Sequence, residues 1–258
     1  MKIQSLRHFF TAVALVSVAA LAVPLWGNAS LPTKVVCIGD SITQGRGDKS
    51  KSGKEWLPTD GWRYDFWKLS IDNNVPIQYV GTETTGFEST PPYASYKGQT
   101  FNNRHEAHWG WTTEGVFSQL QKTQSQWTAD VALVYLGTNK EKLSDSEKAS
   151  DPDAIARTTA AMRGIILLLQ QNNPKVSIII RQLLGSEARS KGLNESYQKL
   201  ATELSTPTSK IVTVAPPADW QWDWRKNPAD TIDGCHSSKS GDQKIAGGFW
   251  QAFSSLNK

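Results

Sequence analysis

The chain has 258 residues, of which 38% are hydrophobic, 20% charged and 10% aromatic, and this excludes collagen-like, disulfide-scaffold and wholly disordered proteins. Lys and Arg total 28 against 24 Asp and Glu, so the formal charge is only +4; with no basic run to track a phosphate backbone, no nucleic-acid partner is expected. Tryptophan stands out at 11 residues, which points to a rich core, a stacking surface, or both.

Residues 1–29 read as a signal peptide. Lys2 and Arg7 precede an apolar stretch over 9–26, and Gly27-Asn28-Ala29 sets small residues at the −3 and −1 positions of a cleavage site before Ser30. Pro24 interrupts the stretch and no positive flank follows it immediately, which favours cleavage over a membrane anchor. The remaining chain, 30–258, is expected to be one secreted or periplasmic domain, monomeric and not held by a membrane. Export permits a disulfide, and the only cysteines are Cys37 and Cys235. Cys37 lies in a predicted strand, so pairing demands a close Cα approach; a bridge and two separate thiols both stay open.

From Thr33 onward, short β-type runs at 34–38, 76–80, 131–136, 176–183 and 210–215 alternate with helix patterns. The runs are mostly continuous apolar or β-branched residues, as in strands buried on both faces. Trp62, Phe66 and Leu69 follow helical spacing. Asp151-Pro152 reads as an N-cap and first-turn proline ahead of a stripe at Ile155, Met162, Ile165 and Leu169. Leu193, Tyr197, Leu200 and Leu204 repeat the spacing, as do Ile245, Phe249, Phe253 and Leu256. This alternation predicts an α/β fold, a three-layer α/β/α sandwich around a five-stranded parallel sheet. Two segments, 45–60 and 216–231, break the pattern after strands, at the sheet edge where α/β proteins place ligand sites.

Four segments carry the chemistry. The first strand ends in Gly39-Asp40-Ser41-Ile42-Thr43, which sets a serine at the carboxyl edge of the sheet; a helix-capping serine is the other reading. Asp233-Gly234-Cys235-His236 offers an imidazole, which titrates near neutrality, with an aspartate three residues earlier to orient it. Gly137-Thr138-Asn139 closes the third strand and could aim an amide donor at the same edge. His105 and His108 tempt a metal reading, but their spacing is three, not four, and no further ligand cluster accompanies them. A structural role for both rings is expected. Between them and the next helix, Gly110 lets a backbone N–H approach a ligand.

In this order the segments resemble the SGNH (GDSL-type) hydrolase superfamily, named for a serine, a glycine, an asparagine and a histidine in four blocks. Here these are Ser41, Gly110 in His-Trp-Gly-Trp-Thr, Asn139 in Gly-Thr-Asn, and His236 in Asp-Gly-Cys-His. Within that superfamily the chain looks most like carbohydrate esterases of the acetyl xylan esterase type, which share a second block like 105–112. The resemblance runs from about Val35 to Phe253 and implies a flavodoxin-like sandwich. Two positions depart from the pattern: Lys140 stands where an aspartate often follows Asn139, and Ser237 where a proline often follows the histidine.

The resemblance and the residue chemistry imply a serine esterase that removes short acyl groups, acetyl foremost, from a polysaccharide or oligosaccharide, with no metal or cofactor. His236 would deprotonate Ser41 while Asp233 orients the imidazole, and the Ser41 and Gly110 N–H groups with the Asn139 amide would form the oxyanion hole. Asp230 is a rival acid, six residues from His236. Asp40 is expected to support the turn and is counted, with Trp109, Trp111, Trp220 and Trp222, among the residues around the substrate. Trp220, Trp222 and Trp224 alternate with Gln221 and Asp223, which in an extended segment puts three rings on one side. An exported lipase or thioesterase, or a silent carbohydrate-binding protein, are the alternatives.

Overall fold

Strand β1 (Thr33–Gly39) is the spine of the sheet, and Val35–Ile38 within it have no solvent exposure. The computed structural model describes residues 31–45, 60–86, 93–140, 151–185, 188–223, 225–226 and 229–256, all within one compact unit. The leader, most of segment 45–60 and Trp224 therefore lie outside the described residues. The other strands are β2 (Ile77–Val80), β3 (Glu106–Ala107), β4 (Val131–Tyr135), β5 (Ser177–Arg181) and β6 (Ile211–Val214). All pairings are parallel, in the order β2-β1-β4-β5-β6, with β3 on β1. The sheet thus has six strands rather than the five expected. β2 pairs with Thr33–Val36, and β3 takes over the same edge further along, at Ile38 and Gly39.

The helices are α1 (Ser41–Gln44), α2 (Trp62–Asp72), α3 (Thr113–Thr123), α4 (Asp151–Asn172), α5 (Ala188–Leu204) and α6 (Lys239–Leu256). α2 packs against α6, whereas α3, α4 and α5 pack in sequence on one another, so helices flank the sheet as expected. Aromatic rings make the first of these seams. Trp62 stacks on Phe249 with ring centroids 4.6 Å apart, and Phe66 meets Phe253 edge-on at 5.5 Å. Burying such rings contributes roughly 2–3 kcal/mol each. Part of the unusual tryptophan content is therefore core: Trp62, Trp67 and Trp127 are all buried.

β5 ends at Arg181, two residues before the predicted boundary. The cause is local. Asn194 on α5 takes both backbone groups of Leu183, accepting from its N–H at 2.7 Å and donating to its carbonyl at 3.0 Å. A side chain thus replaces the ladder there.

Candidate active site

The nucleophile turn is built by close approach. A Cβ on Gly39 would overlap the Thr43 side chain and the Tyr135 carbonyl, so only glycine lets β1 turn here against β4. Asp40 caps α1, its Oδ1 accepting the Ile42 N–H at 3.0 Å, and Ser41 opens the helix. From α2, buried Arg63 closes the other end: Nε donates to the Thr43 carbonyl at 2.6 Å and Nη2 to the Gln44 carbonyl at 3.0 Å. Those carbonyls have no partner within so short a helix, and the guanidinium satisfies them.

The last block brings the base to this turn. Thr231 and Ser237 form an isolated antiparallel bridge, and the Ile232 N–H donates to the His236 carbonyl at 2.9 Å, closing a tight loop. Inside it, Asp233 Oδ1 accepts the N–H groups of Cys235 (2.9 Å) and His236 (2.7 Å). Asp233 Oδ2 lies 2.7 Å from His236 Nδ1, and His236 Nε2 lies 3.0 Å from Ser41 Oγ. An ionised carboxylate only accepts, so Nδ1 carries the proton and the Nε2 lone pair faces the serine. Burial would raise the Asp233 carboxyl, but its hydrogen bonds from the His236 ring and the two N–H groups win and hold it down at about 2. Asp230, the rival acid, is committed elsewhere: it accepts from Gln221 N–H, Ser240 Oγ and Lys244 Nζ at 2.6–2.8 Å. Ser237, in place of the proline, is buried and donates to Asp242 of α6 at 2.5 Å. That bond anchors the loop to α6.

The two middle blocks meet the same edge. The His108 N–H donates to the Gly39 carbonyl at 3.1 Å, continuing the β3 pairing, and the Trp109 N–H donates to Gln44 Oε1 at 2.6 Å. Gly110 follows at φ +76°, a left-handed conformation that disfavours a side chain. Asn139 Nδ2 donates to the Trp111 carbonyl at 3.0 Å, which leaves its second N–H free of that bond and ties the third block to the second. Arg189 of α5 holds the third block from behind, Nη1 donating to the Gly137 carbonyl at 2.7 Å and Nη2 to the Asn139 carbonyl at 3.1 Å. Exposed Lys140 takes no part in this clamp.

His105 and His108 are engaged with other groups. His105 is buried, its Nδ1 accepting the Ala107 N–H at 3.1 Å and its Nε2 facing the Thr85 carbonyl at 3.0 Å; burial pushes its pKa well below the usual imidazole range. His108 stacks on Trp111 at 4.3 Å, and burial lowers it too. Among the described residues, no group of three or more His, Cys, Asp or Glu could hold a metal ion. Cys37 is buried and Cys235 exposed, and both are free thiols, so the open question of a bridge closes against it.

The expected substrate residues divide. Asp40 is 1% exposed, and burial pushes its carboxyl up to about 6 against the Ile42 N–H and His236, which pull it down. Trp109 lies flat on His236, with centroids 4.9 Å apart, and Trp111 is 41% exposed. Trp220 packs against the core and meets Trp222 edge-on at 5.9 Å, whereas Trp222 is 40% exposed. Trp222 lines a cavity of about 290 Å³ with Ile42, Tyr135, Thr138, Arg189 and Cys235. Sequence reasoning gave no role to Gln44, Arg63 or Arg189, which bond mainly the backbone of the motif segments rather than their side chains.

The profile of the GDSL-like lipase/acylhydrolase family matches residues 35–249, which is most of the chain. The chain belongs to this family. No curated protein matches it by sequence. Among solved structures, this GDSL-like chain is similar to a carbohydrate esterase family 3 protein from Talaromyces cellulolyticus, at 21% identity and TM-score 0.64, covering 87% of this chain and 97% of that one. It is also similar to the Clostridium thermocellum family 3 carbohydrate esterase, at 19% identity and TM-score 0.61 over 88% and 98% of the two chains. The psychrotrophic esterase EstA from Pseudoalteromonas sp. superposes at 13% identity and TM-score 0.56, over 88% and 100%. At these identities the GDSL-like chain shares a fold with each.

Proposed function

We propose that this GDSL-like hydrolase is an exported serine esterase that removes short acyl groups, acetyl foremost, from a carbohydrate. The observation that carries the reading is the unbroken relay from Ser41 Oγ through His236 to Asp233, at 3.0 and 2.7 Å. In this mechanism the Ser41 proton passes to His236 Nε2 as Oγ bonds to the ester carbonyl carbon, and the carbonyl π pair moves onto oxygen. The Ser41 and Gly110 N–H groups and the Asn139 amide receive that oxyanion; each such donor contributes roughly 3–4 kcal/mol to the transition state. Collapse breaks the C–O bond to the sugar, whose oxygen takes the proton from His236. Water then enters by the reverse roles and releases the acid.

The substrate class rests on the surroundings. The cavity beside the turn is small for a ligand site, near the low end of the usual range, and its lining mixes polar Thr138 and Arg189 with Tyr135, Trp222 and the aliphatic Leu183 and Leu184. A sugar ring, with apolar C–H faces and hydroxyl edges, suits that lining better than a long acyl chain. Export rests on the leader at 1–29, and the protein acts there as a monomer. The test is acetate release from a panel of acetylated polysaccharides, alongside soluble esters of increasing acyl length. Rates should fall steeply from acetyl to butyryl and longer; faster turnover of octanoyl than acetyl esters would replace this reading with a lipase.

A further inference from the structure

The His236 ring is constrained on two edges and one face. Asp233 holds Nδ1, Ser41 meets Nε2, and the indole of Trp109 covers a face, its plane within 13° of the imidazole. Trp109 is itself held from the nucleophile's own helix: its N–H donates to Gln44 Oε1 at 2.6 Å, and Gln44 Nε2 reaches the Thr85 carbonyl at 3.3 Å. Gln44 lies in the same four-residue helix as Ser41, so a single turn positions both the nucleophile and the backbone that carries the ring stacked on its base.

A face can do what an edge cannot. Neutral imidazole and imidazolium have the same shape, but only the cation is drawn to the negative face of an indole. In ester hydrolysis that cation exists only between the transfer of the Ser41 proton onto Nε2 and its delivery to the departing oxygen. Stabilisation confined to that interval raises kcat and leaves ground-state binding alone. We propose that Trp109 is a positioning residue of the base, whose indole face stabilises the His236 imidazolium during turnover. This rests on the ester-hydrolysis reading above and deepens it.

Other groups face the ring and must be kept apart from the effect. Asp233 and buried Asp40 both favour the cation, whereas the Cys235 thiol, pushed up to about 11 by burial and these two carboxylates, stays neutral. The indole adds to a field already negative, so its share is about 3- to 30-fold in kcat. Trp109 acting only as a steric shelf would be indifferent to the electron density of its ring.

Fluorotryptophans placed at position 109 of the full chain separate the two. Mono-, di-, tri- and tetrafluoroindole keep nearly the same shape while progressively weakening the negative face. With an acetyl ester, kcat should fall stepwise along the series with KM unchanged, and Trp109→Leu should fall at least as far as the last member. A second reading needs no substrate. The ¹⁹F resonance at 109 should move as pH is lowered, lose that movement in His236→Ala, and show a midpoint that drops with each added fluorine. A flat kcat series with a constant midpoint overturns the proposal and leaves the esterase reading intact. A falling midpoint in a protein that hydrolyses no ester supports the stacking effect and removes the esterase reading.

Discussion

Arg189 reaches across from α5 to donate to the carbonyl of Asn139 at 3.1 Å, while its other terminal nitrogen holds the Gly137 carbonyl at 2.7 Å. The third block of the GDSL-like site is therefore shaped by a guanidinium, while exposed Lys140 next to the asparagine takes no part in the clamp. A planar fork can hold two carbonyls in one geometry, which an ammonium cannot reproduce.

Arg189→Ala should lower kcat about 10- to 100-fold and change KM little, since a displaced Asn139 loses a donor to the oxyanion rather than to the bound substrate. Arg189→Lys should recover only part of it. In an Asn139→Ala background the Arg189→Ala effect should largely vanish, because both changes remove one donor. Full additivity of the two in steady-state kinetics would detach Arg189 from Asn139.

Ser41 should be the residue that a fluorophosphonate probe labels, as read by peptide mass spectrometry. Ser41→Ala should abolish labelling and ester turnover together. Adduct at another residue, or an active alanine variant, would remove Ser41 from its role.

The two remaining candidates for the base are separable by rank. His236→Ala should cost several orders of magnitude in kcat, whereas His108→Ala, whose ring stacks on Trp111, should cost far less. Hydrolysis should rise over the pH range in which Nε2 loses its proton, because Nε2 must be unprotonated to accept from Ser41, and buried Asp40, raised to about 6, is a second group near the ring whose charge changes with pH. Asp233, held at about 2, is ionised throughout and adds no second limb in that range. The opposite ranking of the two alanine variants would move the base to His108.

The strands were legible because long apolar runs admit few other readings, and residues 35–38 are indeed wholly buried. β3 was not legible. It has two residues, one of them the buried Glu106, whose carboxylate is satisfied by the Thr82 N–H at 2.6 Å and the Trp127 indole at 2.8 Å. No local pattern announces such a strand, since its partners are 24 and 21 residues away. The same holds for Gln44 and Arg189, which bond backbone groups 65 and 50 residues distant. Ser41, Asp233 and His236 could be read because their chemistry limits the residue types that serve, whereas a carbonyl clamp can come from almost anywhere. The tryptophan segment failed halfway for a related reason: alternation sets direction relative to the chain, not to the core, and Trp220 turns inward while Trp222 does not.

Asp40 gives a stability prediction with a definite sign. Its carboxyl is raised from 3.8 to about 6 in the folded protein, chiefly by burial. For an acid, that means folding is penalised above pH 6, where the buried group is charged, and the penalty disappears as pH falls below the unfolded value near 3.8. The gap corresponds to roughly 3 kcal/mol. Asn serves equally well as an N-cap, so Asp40→Asn keeps the bond to the Ile42 N–H and removes only the charge. Its Tm should exceed that of the parent at pH 8, with the gain lost by pH 4. An equal gain at both pH values would tie the effect to something other than ionisation.

Arg181, at the end of β5, poses the reverse problem. It is wholly buried, its guanidinium nitrogens make no well-formed hydrogen bond among the described residues, and its one polar neighbour there is the Tyr135 side chain, whose ring lies 5.9 Å away. Burial lowers its pKa, and the charge interaction and hydrogen bond that the Tyr135 side chain offers only partly oppose this. A desolvated cation with so little compensation costs more than a hydrophobic side chain of similar length, and replacing buried charges in this way is neutral to stabilising in proteins. Arg181→Met should therefore raise stability by on the order of 1 kcal/mol or more, which in a domain of this size is roughly 2–4 °C in Tm per kcal/mol. Ester hydrolysis should be unchanged, because no atom of Arg181 bonds to the Ser41, Gly110, Asn139 or His236 segments. Calorimetry of the two proteins at the same pH decides it. A drop in Tm of several degrees for Arg181→Met would mean that the guanidinium contributes to the fold through a contact stronger than its aromatic neighbour supplies.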